Sequence, residues 1–334
     1  MTREDEIKRA FTEAGTPLVG IARLATFPEV ASAIGEKARL GWLAGLGWLS
    51  RVQREMEDPS ILFDGARSII ATAWSYTDQY SPYIARFAIS NEYHSIIKER
   101  LSAVWKGIGG GRAYISVDNS PVPEKQIARL AGLGGIGKNS LLINPRLGSY
   151  LCIGVIITDL TLRPDPPFEE DLCGGCRACV MACPTGAIKE GIGVDSSRCI
   201  SYLTIEEKGR IPEDLLPLMG EHIFGCDVCQ EVCPYNNSRY KHTPSIPPAI
   251  QPPLRIEEVR RWMEMDKEGF KRYFSATPIK RIGPSRFKRN IAIALGNAGG
   301  SEEYEFLRRH LQSGDELVDR YVEWAVARLE GGYL

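Results

Sequence analysis

The sequence predicts an α+β protein of several domains: an N-terminal α/β domain, a small cysteine-rich module and a C-terminal helical domain. Three observations lead to this prediction. Apolar, β-branched runs alternate with helical patterns before about residue 165, eight cysteines fall between residues 173 and 233, and the chain from about residue 254 has helical periodicity. Proline-rich stretches at 163–168 and 244–253 separate these parts. We therefore expect domains at 1–165, 166–240 and 241–334.

The N-terminal domain begins with a charged amphipathic helix pattern at Met1–Ala14, which lacks the apolar core of a secretory signal. Two apolar runs, Ala66–Ala73 and Ser149–Thr158, are rich in β-branched residues and typical of buried strands. Between them, Ile89–Gly107 has a helical pattern and Arg112–Val117 is strand-like. These alternating patterns predict the mixed architecture of this domain.

The composition is that of a globular protein, with 334 residues of which 43% are hydrophobic and 25% are charged. Since the net charge is −1, a nucleic-acid partner has to be met by a local basic patch. No stretch approaches the ~20 apolar residues that span a bilayer. We expect a cytoplasmic protein without a membrane partner.

The cysteines follow the spacing of bacterial ferredoxins. Residues 173–184 read CGGCRACVMACP, which is C-x2-C-x2-C-x3-C-P, and the second half is Cys199 followed by CDVCQEVCP at 226–234. In this framework the last cysteine of each half ligates the other half's cluster. The predicted ligands are Cys173, Cys176, Cys179 and Cys233 for one 4Fe–4S cluster, and Cys183, Cys199, Cys226 and Cys229 for the other.

Zinc is the alternative ligand for such cysteines. A single C-x2-C pair is typical of zinc sites, but two reciprocal halves that both end in C-P favour iron–sulfur clusters. Cys152 lies in an apolar run and is predicted to be an inert core thiol.

Asp118 follows the strand-like Arg112–Val117 and has two interpretations. A carboxyl group at a strand end could act as a proton donor, with its pKa raised by burial. Alternatively, Asp-Asn-Ser-Pro at 118–121 is good turn chemistry, and the sequence alone favours the turn. The glycine-rich segment at 133–138, LGGIGK, fits neither the P-loop nor the dinucleotide motif.

A basic stretch precedes and enters the predicted C-terminal helices. Lys271–Arg289 carries seven basic residues and no acidic one, with aromatic residues nearby. It is either a solvated face or a site for a phosphate backbone. The candidate contacts to nucleic acid are Lys280, Arg281, Arg286, Lys288 and Arg289.

The C-terminal part contains a faint internal repeat. Lys288–Gly296 and Asp319–Ala327 align at a period of 31 residues, each with basic, small and apolar residues at helical spacing. They are either a pair of HEAT-like helical repeats or two unrelated amphipathic helices.

Several stretches together resemble the epoxyqueuosine reductases of tRNA modification, in the order of that family and over most of the chain. They are ARFAISNEYH at 85–94, VDNSPVPEK at 117–125, AGLGGIGKNSLLINPRLGSY at 131–150, the cysteine run at 173–184, CISYLTIEEKGRIP at 199–212, FGCDVCQEVCPYN at 224–236 and SATPIKRIGPSRFKRNIAIALGN at 275–297.

The resemblance implies a fold and a cofactor that residue counting does not show. The family combines a cobalamin-binding α/β domain, a ferredoxin-like module and a HEAT-like helical domain. No D-x-H-x-x-G signature occurs in the sequence, so we expect the corrinoid to bind without a histidine of that motif. By resemblance, Ser201 and Asp227 lie near the corrinoid because both are close to cluster cysteines, and Lys138 is a further candidate.

The implied reaction is the two-electron removal of the epoxide oxygen of epoxyqueuosine at the wobble base of tRNA, giving queuosine. Asp118 matches the family's proton donor. Electrons would come from an external low-potential donor. Two alternatives are a reductive dehalogenase-like reductase of a small molecule and a plain ferredoxin-type carrier. The basic stretch argues against the former, and the long N-terminal domain argues against the latter.

Overall fold

The computed structural model describes residues 1–76, 79–237, 244–251 and 254–331. A four-stranded antiparallel sheet in the order β1-β2-β6-β3 forms the centre of its N-terminal part. Two small hairpins, β4 with β5 and β7 with β8, lie outside this sheet. The strands are β1 Leu18–Arg23, β2 Ser68–Ser75, β3 Ala113–Ser116, β4 Gly135–Ile136, β5 Leu142–Ile143, β6 Leu151–Thr158, β7 Ile188–Lys189 and β8 Gly193–Val194.

Helices cover both faces of this sheet and form the C-terminal part. The α-helices are α1 Arg3–Glu13, α2 Pro28–Arg39, α3 Gln53–Glu57, α4 Arg86–Ile89, α5 Tyr93–Gly107, α6 Glu124–Leu130, α7 Ala178–Ala182, α8 Ile200–Ile205, α9 Val228–Glu231, α10 Ile256–Glu264, α11 Lys267–Phe274, α12 Gly283–Ala298, α13 Ser301–Arg308 and α14 Glu316–Gly331. Short 3-10 helices lie at Ala44–Arg51, Pro59–Leu62, Glu213–Leu215, Pro217–Met219, Pro234–Asn237 and Pro278–Ile282.

Strand β2 shows why the predicted strands have continuous apolar sequences. Its side chains alternate between two faces, so Ile69 and Ala71 pack in one hydrophobic cluster while Ile70 and Trp74 pack in another. Helices α2 and α6 contribute to the first cluster, and α1 and α5 to the second. Because both faces are buried, neither face needs polar residues. The predicted strands are confirmed as β2 and β6, and the predicted helices as α1 and α5.

The C-terminal helices pair as the repeat suggested. The two predicted repeat segments lie in α12 and α14, which pack against each other in one buried cluster. Gly296 on α12 allows their close approach, because a Cβ built there would lie 2.6 Å from Cβ of Ala325 on α14. This cluster also contains Leu203 and Phe224, so the segment between the cysteine halves packs on the C-terminal helices.

The predicted boundary between 240 and 241 falls in residues 238–243, which lie outside the described residues. The three-domain division therefore stays a prediction. Among the helices of the described part of the chain, none has the length and apolar character needed to cross a bilayer.

Candidate cluster and acid sites

The first predicted cysteine set surrounds a cavity of about 50 Å³. Cys173, Cys176 and Cys179 line it from the loop before α7 and from α7 itself, and Cys233 joins them from after α9. The structure thus brings the last cysteine of the second half to the first half, as the crosswise arrangement requires. Within the described ranges, no group of His, Cys, Asp and Glu side chains surrounds a single ion, and these sulfur atoms enclose a space instead.

The second cysteine set lies deeper in the protein. Burial raises the pKa of Cys226 to about 12, and the neighbouring Cys199 and Cys183 thiol groups add to that shift. Burial also raises the pKa of Cys229, and the Cys226 and Cys199 thiol groups add to that shift. These mutual effects place the four side chains of the set together. Four thiol groups in apolar surroundings fit a 4Fe–4S cluster, whose irons would keep them deprotonated.

The two cysteine sets differ in their access to solvent. Cys176 of the first set is exposed, and Met181 on the adjacent helix α7 is 79% exposed. In the second set, Cys199 and Cys226 pack against the large C-terminal hydrophobic cluster. The first set is therefore the one that a partner protein can approach. Cys152 is buried and unpaired in β6, as predicted for a core thiol.

Asp118 lies two residues beyond β3 in a left-handed backbone conformation, with φ of +52°. Its carboxylate accepts a hydrogen bond from the hydroxyl of Tyr93 at 2.5 Å and lies 3.6 Å from Nε2 of His94. Its backbone N–H donates to Oε1 of Glu124 at 2.7 Å. The first residues of α5 and α6 therefore hold this aspartate from two sides, while its side chain remains 61% exposed.

A row of charged groups extends from Asp118 to the basic stretch. Nδ1 of His94 lies 2.6 Å from Oε1 of Glu92, and the other oxygen of Glu92 lies 3.4 Å from Nζ of Lys280. The backbone N–H of Glu92 also donates to the carbonyl of Ala276. The start of α5 is thereby tied to the segment that carries the basic residues, and the acid lies two side chains away from Lys280.

The groups around Asp118 favour a deprotonated Asp118 and a protonated His94. Desolvation acts to raise the pKa of Asp118, but hydrogen bonds from His94 and Tyr93 outweigh it and lower the pKa. Burial acts to lower the pKa of His94, but its hydrogen bonds to Asp118 and Glu92 raise it to about 9. This corrects the expectation of a raised Asp118 pKa, since two donors face the carboxylate. At neutral pH the pair holds its proton on the imidazole.

The predicted corrinoid contacts lie around the second cysteine set, with one exception. Burial raises the pKa of Asp227 to about 6, and its carboxylate accepts from the backbone N–H of Arg86 at 2.7 Å and from Gln230 at 3.0 Å. Ser201 is half-buried on α8, two residues after Cys199. Lys138 instead donates to the carbonyl of Cys176 at 2.9 Å. Its ammonium group is engaged at the first cysteine set, so we leave Lys138 out of the proposed corrinoid contacts.

The carboxylate of Asp118 has one open side, from which a cofactor or a substrate would have to approach. The carboxylate is open to solvent there, whereas Tyr93, His94 and Glu124 occupy its other sides. Among the described histidines, His94 is bonded to carboxylates, His222 lies 3.7 Å from the sulfur of Cys226 and His310 contacts the carbonyl of Phe306. Each of these three histidines therefore already has a partner in the structure.

The basic stretch separates into exposed and buried members. Lys280 and Arg281 are 46% and 47% exposed, and Arg281 pairs with Glu206. Arg286 donates to backbone carbonyls at 282 and 205, and Lys288 is half-buried. These four residues remain candidates for contact with RNA.

Arg289 does not remain a candidate. Its side chain is fully buried and donates to the carbonyls of Leu203, Glu207 and Gly209. An RNA phosphate cannot reach a guanidinium group that is enclosed in this way. This corrects the sequence prediction, which counted basic residues without knowing which face of α12 they occupy.

The sequence argument missed four members of the acid site. Glu92, Tyr93 and His94 are consecutive and belong to one of the family-like stretches, NEYH at 91–94. Glu124 lies six residues beyond Asp118 and belongs to another. Both segments had been matched to the family in the sequence, but nothing in their spacing showed that they lie side by side in the fold.

Two family models match this chain. Residues 172–236 match a 4Fe-4S double cluster binding domain. Residues 57–118 match a model described as epoxyqueuosine reductase QueG, DUF1730, which ends at Asp118. The epoxyqueuosine reductase of Escherichia coli (strain K12) is 36% identical over 299 residues, which cover 85% of this chain and 78% of that protein.

Solved structures agree with the fold. A crystal structure of epoxyqueuosine reductase with an epoxyqueuosine-modified tRNA stem loop has a TM-score of 0.84 and 25% identity, covering 98% of this chain and 90% of that one. The Bacillus subtilis enzyme, solved with its catalytic loop swung out of the active site, has a TM-score of 0.82 and 26% identity over the same shares. The cysteine framework, the acid site and these likenesses together place this chain in the epoxyqueuosine reductase family, a family of oxidoreductases.

Proposed function

We propose that this chain reduces epoxyqueuosine at the wobble position of tRNA to queuosine. The observation that carries the proposal is the row of contacts from Lys280 through Glu92 and His94 to Asp118. In this row, exposed Lys280, which could bind a phosphate backbone, lies close to Asp118 and His94, and His94 holds a proton at neutral pH. A small-molecule reductase needs the acid but not the adjoining cations.

The reaction requires two electrons and two protons for each epoxide. The carbon–oxygen bonds of the epoxide break, the oxygen leaves as water and a double bond forms between the two carbons. Cobalamin, when bound, supplies the two-electron reductant that this cleavage needs, and the two 4Fe–4S clusters supply electrons one at a time. The residues of the chain provide binding, orientation and protons.

The acid site supplies the first proton. An alkoxide is a poor leaving group, so a donor must meet the oxygen as the bond breaks. Asp118 is the exposed member of the pair and faces the open side, and His94 behind it holds the proton at neutral pH. We assign proton delivery to Asp118 and its reloading to His94. The hydroxyl of Tyr93 fixes the carboxylate by its hydrogen bond of 2.5 Å.

We assign the contacts with RNA, the corrinoid and the electron donor from the exposure and position of the side chains. Lys280 and Arg281 would bind the RNA backbone, with Arg286 and Lys288 at the edge of that surface. Ser201 and Asp227 would lie beside the corrinoid, next to the second cysteine set. An external low-potential donor would dock at the first set, since Cys176 is exposed. We keep the domain division 1–165, 166–240 and 241–334 as part of this proposal.

We also propose that the loop carrying Asp118 can leave the site. The Bacillus subtilis relative has been solved with its catalytic loop swung out. In this chain, residues 117–120 follow a short strand and reach solvent at Asp118. We call this segment the acid loop.

The proposed function is tested by product analysis. The anaerobically reconstituted enzyme, with cobalamin and both clusters, is incubated with tRNA containing epoxyqueuosine and a strong reductant, and the nucleosides are then analysed by mass. We expect conversion to a nucleoside lighter by one oxygen atom. Unchanged epoxyqueuosine, with clusters and corrinoid fully loaded, would contradict the proposal. A matched reaction with a halogenated phenol tests the small-molecule alternative.

A further inference from the structure

The acid loop holds Asp118 in a backbone conformation that it would not adopt freely. Its φ of +52° lies in the left-handed region, which is uncommon for residues other than glycine, although aspartate tolerates it better than most. Such conformations persist only where surrounding contacts enforce them. Some group in the structure must therefore stabilise the loop in the position that presents the carboxylate.

Glu124 is the residue that contacts the loop backbone at this point. Its Oε1 accepts a hydrogen bond from the N–H of Asp118 at 2.7 Å and another from Oγ of Ser116 at 3.0 Å. Oγ of Ser116 in turn lies 2.5 Å from Oγ of Ser120. One carboxyl oxygen thus joins the end of β3, the aspartate and the far side of the loop.

Glu124 is well placed for this task because its helix cannot move easily. It is the first residue of α6, whose Ile127 and Ala128 are fully buried against the central sheet. The loop itself has an exposed tip at residues 118 and 119. The hydrogen bonds of Glu124 therefore join an exposed segment to a helix that is packed against the central sheet.

We propose that Glu124 is a positioning residue that holds the acid loop, and with it the carboxylate of Asp118, in the site. This inference rests on the proposed role of Asp118 as the proton donor. Glu124 does not touch the substrate, and it acts through the backbone N–H of the residue that does. Without it, the loop would lose the acceptor that compensates for the unfavourable φ.

The protonation state of Glu124 suggests a matched pair of variants. Desolvation, with the charge of Asp118 adding to it, raises the pKa of Glu124 to about 8. The group therefore carries a proton at neutral pH, and its carbonyl oxygen is the acceptor. Glu124→Gln keeps an acceptor oxygen of the same geometry without a titratable proton. Glu124→Leu has a similar volume and no acceptor.

The experiment compares these variants in the full enzyme loaded with both clusters and cobalamin. It measures kcat and KM with the modified tRNA, and hydrogen–deuterium exchange of residues 117–120. For Glu124→Leu we expect faster exchange in the acid loop and a fall in kcat of about 10-fold or more. KM should change little, because Glu124 is bonded to Ser116 and the acid loop rather than to the cations proposed to bind RNA. Glu124→Gln should retain slow exchange and most of the rate.

The outcomes separate this inference from the proposed function. Unchanged exchange in Glu124→Leu would overturn the positioning role. Faster exchange with an unchanged kcat would confirm that Glu124 holds the loop but would overturn the role of Asp118 as the acid. If Glu124→Leu fails to fold, as judged by loss of iron, the native enzyme decides the question. The N–H of Asp118, which donates to Glu124, should exchange slowly, whereas fast exchange of that amide in the native enzyme would overturn the inference.

Discussion

The cysteine sites and the acid site are built in opposite ways. The eight cluster cysteines lie within 61 residues, and most are placed by two short loops and the helices that follow them. The acid site takes Glu92, Tyr93 and His94 from the start of α5, Asp118 from the loop after β3 and Glu124 from the start of α6. Lys280 reaches it from a 3-10 helix more than 150 residues away. Local spacing encodes the first kind of site, and only packing assembles the second.

This difference has a consequence that can be tested. If the two sites are built independently, damage to one should leave the other intact. The cysteine sets should lose iron without disturbing the loop of Asp118, and the acid site should lose rate without losing iron.

Cys183→Ala should have the largest effect, since Cys183 belongs to the deeper cysteine set. We expect iron to fall from about eight to about four per chain and turnover to be lost, because electrons can no longer cross the module. Iron and sulfide analysis of anaerobic protein measures the first effect. Cys152→Ala is the control, because Cys152 is buried in β6 and belongs to neither set, and the iron content of this variant should be unchanged. Stoichiometric zinc with little sulfide in the native protein would contradict the assignment.

Asp118→Asn should reduce kcat by about 10²- to 10⁴-fold, the usual contribution of a general acid. Asparagine tolerates both the turn and the left-handed backbone of this position, so the fold, the clusters and RNA binding should be retained. Single-turnover rates with modified tRNA, beside iron content, provide the measurement. A fully active Asp118→Asn enzyme would reduce Asp118 to a turn residue while leaving the family assignment intact.

His94→Gln should have a smaller effect and change the pH profile. The pKa of His94 is raised to about 9, so its proton is present at neutral pH and is lost as pH rises through about 9. The native rate should fall over that window. The ion pairs of His94 contribute fully to stability below about pH 6.5, the ordinary pKa of histidine. This contribution is lost as the pH rises from there through about 9. We expect the variant to be about 10-fold slower at neutral pH and to lack the fall near pH 9. Identical pH profiles of native protein and variant would exclude His94 as the proton reservoir.

Replacing Lys280 and Arg281 together with alanine should have the smallest effect at low salt. If both contact phosphates, the dependence of log affinity on log salt should become shallower by about 1 to 2, because fewer counterions are released on binding. Arg9 on α1 is a control, since it is also exposed and paired with a carboxylate. If the salt slope equals that of Arg9→Ala, Lys280 and Arg281 do not bind the RNA backbone, and this segment is only a solvated face.

Much of the cluster module could be predicted from the sequence, because the spacing of its cysteines indicates which residues bind each cluster. The C-x2-C-x2-C-x3-C-P run fixes the distance between neighbouring sulfur atoms through the geometry of a tight loop. The buried strands β2 and β6 were also predictable, since each is a continuous β-branched run between turn signals. The two segments of the faint repeat lie in α12 and α14, and the structure packs these helices against each other in one hydrophobic cluster.

The acid site depended on the tertiary structure. The residues around Asp118 favoured a turn over a proton donor, because its partners His94 and Glu124 lie on other elements and have no fixed spacing to it. The direction of its pKa shift was predicted wrongly for the same reason, because the sequence did not show that His94 and Tyr93 donate to the carboxylate. Arg289 was counted as a cation for RNA until the fold enclosed it among backbone carbonyls. Spacing along the chain was enough to predict the cluster ligands, because those cysteines lie close together in the sequence. The packing of α5, α6 and the C-terminal helices around the sheet determined which distant charges meet, because those contacts depend on folded distances that spacing does not encode.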